Sequence, residues 1–153
     1  MRFTSEVTVA CSLAEVAAFL DDPSNLARWD RSVARVEPTS SGTSAVGFTF
    51  DTVAPSGMRM SYEITEHEPL RHTRIELRGS RMFRRAVWRM QYDAVPVGSR
   101  IICQVDFQLR GLYLALIVPL VLLQRSALRR DLQCLKQALE APGYGLQGIT
   151  RAT

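Results

Sequence analysis

Only one stretch of this chain can form a long helix, and nearly everything before it reads as strands that need a cover. The stretch runs from Gly111 to Glu140. Its second half carries Leu128, Leu132, Leu135 and Leu139 on one stripe, with Arg125, Arg129, Arg130, Gln133, Lys136 and Gln137 on the other side. Steps of four, three and four residues trace one face of a helix, which turns once in about 3.6 residues. Its first half, Leu112 to Leu123, is almost wholly apolar. Extending the stripe backwards turns Leu114, Ile117 or Val118, and Val121 inward. Tyr113, Leu116, Leu120 and Leu123 are left facing away, a patch large enough to need a cover. The chain's own loops, a homodimer or a transient membrane contact would each supply one. The block is too short to span a bilayer, which takes about 20 apolar residues. Pro119 has no amide hydrogen to give to Ala115, so a bend is expected there. Gly111 to Leu123 is therefore a candidate gate or contact surface, and Arg125 to Glu140 is scaffold.

The upstream residues alternate with period two. Phe3, Val7 and Val9 share a face opposite Arg2, Glu6 and Thr8. Ser12-Leu-Ala-Glu15 matches a capping box and starts a short helix. Asp22 and Pro23 start a second, ending near Trp29 and Asp30. A short strand follows around Val33 to Val36. A series of strands then comes, the second of them opening at Met58, with inward residues Val46, Phe48 and Phe50; Met60, Tyr62 and Ile64; Ile75 and Leu77; Ala86, Trp88, Met90 and Tyr92; and Cys103, Val105 and Phe107. One apolar and one polar face on every strand indicate an antiparallel sheet wetted on one side. The long helix has the surface to cover the other side. The expectation is an α+β domain over residues 1–141, with a tail over 142–153 that frays.

Composition adds bounds. A chain of 153 residues can bury a full core. The net charge of +4 is too small to imply a nucleic-acid partner, and Lys136 is the only lysine. Arg71, Arg74, Arg78, Arg81, Arg84, Arg85 and Arg89 crowd one window in which Glu76 is the only acid. Such a cluster would attract anionic headgroups or phosphates, or it is simply a solvated outer sheet face. Cys11, Cys103 and Cys134 are widely spaced and odd in number, which suggests a reducing, cytoplasmic setting without a disulfide framework. The N-terminal stretch alternates like a strand and has no signal-peptide pattern.

At this point the chain resembles the START-like helix-grip superfamily, the SRPBCC group that includes polyketide cyclases, aromatase/cyclases, pollen-allergen-type ligand binders and lipid-transfer domains. Four segments carry the likeness: Ser12 to Pro23, Asn25 to Asp30, Tyr62 to Pro69 and Asp131 to Glu140. The resemblance implies a curved seven-stranded antiparallel sheet gripping the last helix, two short helices between the first two strands, and an elongated cavity between sheet and helix. It implies architecture more than any one chemistry.

Catalytic signatures are absent from the sequence. His67 and His72 flank a turn, where exposure is expected, and no metal-ligand spacing is present. Every strand acid (Asp51, Glu63, Glu76, Asp93, Asp106) falls on outward parity, so no inward general base is expected and no catalytic residue is assigned. The inward face offers an apolar chamber with a few polar tips, the usual makeup of a ligand pocket. The residues expected to line it are Trp29, Phe48, Phe50, Met60, Tyr62, Arg84, Trp88, Met90, Tyr92, Phe107, Leu114 and Val118. Arg84 enters because it shares parity with Trp88 and would reach the cavity mouth. Each aromatic could equally be core with its polar tip at the edge. The favoured reading is a binder of a hydrophobic small molecule (a lipid, isoprenoid or polyketide-like compound) without cofactor or metal. The alternatives are a polyketide cyclase/dehydratase-like enzyme, in which Arg84 with Tyr62 or Tyr92 polarises a carbonyl, and a dimerisation or membrane-surface module.

Overall fold

The computed structural model describes residues 1–42, 45–111, 113 and 117–141, and for 117–125 only the helical backbone. The elements are β1 (Arg2–Val9), α1 (Leu13–Leu20), a 3-10 turn (Pro23–Asn25), α2 (Leu26–Trp29), β2 (Arg35–Pro38), β3 (Thr49–Val53), β4 (Arg59–Glu68), β5 (His72–Arg78), β6 (Phe83–Val95), β7 (Gly98–Leu109) and α3 (Ile117–Glu140). The strands make one seven-stranded sheet in the order β1-β7-β6-β5-β4-β3-β2. All its pairings are antiparallel. The pattern predicted an antiparallel sheet covered by the long helix, and the family resemblance implied the curved seven-stranded helix-grip form; the structure has this α+β architecture.

Local chemistry sets the element ends. Ser12 and Glu15 form the capping box of α1, with the Ser12 hydroxyl accepting from the Glu15 amide and the Glu15 carboxylate accepting from the Ser12 amide. Asp22 accepts from the Ser24 amide at 2.9 Å, and Pro23 opens the following turn. Between β6 and β7, Gly98 has φ of 135° and packs onto the start of α1's approach. A Cβ there would lie 2.1 Å from the Val9 carbonyl oxygen.

Two strands begin later than alternation predicts. Val46 was expected inward but is 63% exposed. Gly47, at φ of 91°, and the Phe48 amide bonded to the Ala45 carbonyl at 2.9 Å make a turn that delays β3 to Thr49. Met58 is likewise exposed, in the turn before β4. Pro38 ends β2 at the sheet edge, where a missing amide does no harm.

The leucine stripe of α3 closes half of the inner face. Leu128, Leu132, Leu135 and Leu139 are buried against a cluster that includes Val7, Val9, Ile101, Cys103 and Val105. The helix packs on β1, β7 and α2. Its C-terminal end is tied to β1: Lys136 Nζ donates to the Thr8 carbonyl at 2.7 Å, and Glu140 accepts from the Ala10 amide at 2.8 Å. A second buried cluster, Phe48, Phe50, Tyr62 and Ile64, occupies β3–β4 and the turn before them.

The arginine-rich window lies on the outer face and is largely neutralised across strands. Arg78 meets Glu63 at 2.6 Å, Arg89 meets Glu66 at 3.1 Å, Arg71 meets Glu68 at 3.2 Å, Arg85 meets Glu76 at 3.3 Å, and Arg74 also meets Glu66. The acids come mostly from β4, outside the window in sequence. Val87, on outward parity, is nevertheless buried, at the base of a hollow that Arg2, Arg74, Arg85 and Arg89 also line. Among the described residues no helix is long and apolar enough to cross a membrane.

Two stability outcomes follow. Gly98→Ala combines a left-handed φ with a backbone clash, so urea unfolding is expected to show a loss of about 2 kcal/mol or more. Asp131, on α3, is pushed up to about 6 by burial and by the nearby Asp30 carboxylate. The folded state then keeps a proton that the unfolded chain releases near pH 4. Its contribution is fully present below that pH and is lost as pH rises through about 6. Asp131→Asn removes the dependence. Unfolding midpoints should flatten across that window, with a gain of up to about 1 kcal/mol at neutral pH after solvent screening.

Candidate functional site

The inner sheet face divides into two chemically distinct regions. Over β3–β6 the aromatics form a row. Phe48 and Phe50 stack with centroids 6.1 Å apart, Phe50 and Tyr62 at 5.6 Å, and Tyr62 meets the edge of Trp88 at 5.5 Å. Leu26, Val36, Met60, Ile75, Leu77 and Trp88 flank the row and are only partly buried. The α3 leucine stripe packs elsewhere, on β1 and β7. The Tyr62 hydroxyl meets the Met60 sulfur at 3.7 Å and also bonds to the Thr52 side chain. Burial pushes its phenol up to about 12.

Five of the expected lining residues, Phe48, Phe50, Met60, Tyr62 and Trp88, therefore come together. Met90, Tyr92 and Phe107 lie in the other cluster, which the α3 leucines share with Val16, Ala17 and Phe19 of α1. There Phe107 stacks on Phe3 at 5.5 Å and meets the edge of Phe83 at 5.6 Å. Trp29, half-buried at the end of α2, packs on that same cluster. Trp88 and Leu77 touch both. Arg84 is exposed. A register shift between Phe83 and Arg85 sits on it, so the parity that linked it to Trp88 does not carry across. Leu114 and Leu116 lie outside the described residues, as do the side chains of Val118, Leu120 and Leu123. Tyr113 is half-buried, its amide bonded to the Arg110 carbonyl at 2.8 Å.

The second region is polar, and alternation alone missed it. At the end of α1 the Asp21 carboxylate accepts from the Tyr92 hydroxyl at 2.9 Å and from the Thr73 hydroxyl at 3.1 Å. His67 Nδ1 lies 3.1 Å from that Thr73 oxygen and 3.6 Å from Asp21. The Thr73 and Tyr92 oxygens also lie 3.3 Å apart. With both hydroxyl protons on Asp21, the Thr73 oxygen is left to accept from His67 Nδ1–H. The Tyr92 phenol is raised far above its ordinary value by burial.

His67 was expected to be exposed in a turn. In fact β4 continues to Glu68, and the His67 side chain is 15% exposed. The register shift between Ile64 and Glu66 moves the inward parity of β4 from even to odd positions, which brings His67 opposite Thr73. Asp21 reaches the same place from a helix end, where strand parity has no bearing. The Asp-Asp-Pro run signalled a helix boundary and nothing more. Asp21 and His67 open onto a cleft of about 500 Å³ that Asp22, Ser24, Pro23 and Phe48 also line.

Comparison with known proteins agrees with the fold. A family model described as polyketide cyclase/dehydrase and lipid transport matches residues 1–141. The chain belongs to that family. Solved structures with the same fold include a protein from Mesorhizobium loti, with 15% identity and a TM-score of 0.71 over 91% of this chain and 96% of that one. The di-domain ARO/CYC protein StfQ of the steffimycin biosynthetic pathway is similar at 12% identity and a TM-score of 0.70, over 97% of this chain and 52% of StfQ. The Aha1 dimer from Colwellia psychrerythraea is similar at 14% identity and a TM-score of 0.70, over 92% of this chain and 97% of that one. At these identities the likeness speaks for fold. No curated protein matches the sequence. Among the described residues, no group of three or more His, Cys, Asp or Glu could hold a metal ion.

The Tyr92–Asp21 bond joins the sheet to the end of α1. Tyr92→Phe removes a donor from a partly buried carboxylate and should cost about 1–2 kcal/mol in urea unfolding. The His67 ring resonances should shift with it, since Thr73 and Asp21 rearrange; an unchanged His67 spectrum would break the proposed chain of contacts.

Proposed function

We propose that the chain binds a hydrophobic small molecule, a lipid, isoprenoid or polyketide-like compound, between the inner sheet face and the C-terminal helix. The observation that carries this reading is the aromatic row Phe48, Phe50, Tyr62 and Trp88 with its partly buried apolar flank, away from the α3 leucine stripe. Apolar surface of that kind is stabilised by about 25 cal/mol for each Å² removed from water. Covering it with a ligand supplies binding energy without any directional contact. Tyr62 gives the pocket one donor that stays protonated. Met90, Tyr92, Phe107 and Trp29 support the floor. Leu114 and Val118 are proposed on sequence grounds as its helix side. The family's description, which joins cyclisation and dehydration to lipid transport, supports a small-molecule ligand of this class.

Binding is favoured over catalysis because the buried phenols keep their protons and Arg84 stands in solvent. The cysteines Cys11, Cys103 and Cys134 are free, in keeping with a cytoplasmic, reducing setting.

Native mass spectrometry of purified protein should recover a co-purifying apolar ligand. Titration with a long-chain fatty acid should change the tryptophan fluorescence saturably. Trp88→Ala should weaken that binding about tenfold, the equivalent of about 1.4 kcal/mol. Absence of both a co-purifying species and a saturable signal would remove this reading.

A further inference from the structure

The cleft at the end of α1 borders the aromatic row at Phe48 and has a different chemistry. It is bounded by the 3-10 turn on one side and by β2 and the turn before β3 on the other. Its polar lining side chains are Asp21, Asp22, Ser24 and His67. Among the described residues, none of its lining is Lys or Arg.

Their protons are already committed. Ser24 donates its hydroxyl to Asp22 Oδ1 at 2.6 Å, and its amide donates to the same oxygen at 2.9 Å. Asp21 Oδ1 is occupied by Tyr92 and Thr73. His67 Nδ1 is engaged with Thr73, which leaves Nε2 as the ring's remaining hydrogen-bonding atom. Among the described residues, the side chains of the cleft thus present two carboxylates and no Lys or Arg that could hold an anion. An enolate or oxyanion forming here would meet no stabilising charge. A protonated amine would meet two carboxylates and an imidazole lone pair. Phe48, Val36, Pro23 and Pro38 add apolar wall for the body of such a molecule.

We propose that this cleft is a second ligand site, which takes a small amphipathic amine as its ammonium ion, with the His67–Thr73–Asp21 chain holding the imidazole as an acceptor toward it. The two regions share Phe48 and Val36 at their border, but the carboxylates and the imidazole that would hold the ammonium belong to the cleft alone, so the site does not depend on the hydrophobic-ligand reading.

The test uses 2-phenylethylammonium as the probe, with 2-phenylethanol and 3-phenylpropionate as neutral and anionic controls, followed by NMR at pH 8. The expected result is saturable shifting of the His67 ring and of the Asp21, Asp22 and Phe48 amides by the ammonium alone. A ligand of this size should bind at about 1 mM or tighter. Asp22→Asn preserves the cap, because Asn serves as well as Asp there, and removes one charge. It and His67→Gln should each weaken binding about tenfold, the size of one charge-assisted contact. Both keep the α1 tether through Tyr92 and Asp21, so loss of binding is separable from loss of fold by their unfolding curves. Equal binding of the alcohol, shifts centred on Tyr62 and Trp88, no saturable shift, or unchanged affinity in both variants would each overturn the proposal. Failure of fatty-acid binding would bear on the aromatic row alone.

Discussion

A one-sided sheet has to be covered, and the one long helix of this chain covers only half of it with its leucine stripe. The rest of the structure depends on that constraint. Leu128, Leu132, Leu135 and Leu139 are fully committed to β1 and β7. Each Leu buried in this way is worth roughly 1.5–3 kcal/mol relative to exposure, so the stripe holds its register firmly. The β3–β5 side is left with aromatic and apolar residues that the stripe does not reach. The described leucines of the helix are spent on one edge of the sheet, and the aromatic row lies beyond them; apolar surface of that kind is what small-molecule pockets are made of.

The short helices serve the same frame in a different way. The end of α1 is joined to the sheet by the Asp21 carboxylate, which gathers donors from β5 and β6. That contact closes the corner between helix and sheet with hydrogen bonds where the apolar packing runs out. It also orders the side chains around the cleft. The outer face is organised by charge. Its arginines alternate with glutamates across neighbouring strands, so the sheet stays soluble there without a strong net field. Exposed pairs of this kind contribute little to stability individually.

Most of the fold was legible in the residues because it follows local period and end chemistry. The capping box at Ser12 and Glu15, the Asp22-Pro23 turn, the alternation from Met60 to Leu109 and the Leu128–Leu139 stripe each specify an element without distant information. The errors came where a single residue breaks the period. Gly47 turned the chain and exposed Val46. Shifts at Ile64–Glu66 and at Phe83–Arg85 reversed parity on β4 and suspended it on β6, which hid His67 and misplaced Arg84. Such irregularities cost little and leave no strong sequence signal.

The sequence by itself determined the fold class, the polarity of each sheet face and the apolar character of the inner surface. These depend on which side chains share a face, and that is a matter of spacing. Only the tertiary structure decided how the inner face is partitioned, with Met90, Tyr92 and Phe107 in the cluster closed by α1 and the α3 leucines, and Phe48, Phe50, Tyr62 and Trp88 in a row beside it. It alone brought Asp21, His67, Thr73 and Tyr92 together, since they come from a helix end and three separate strands. Their contacts span up to 71 positions of chain. No local pattern encodes a meeting over that distance; strand order, register shifts and the angle at which α1 crosses the sheet produce it.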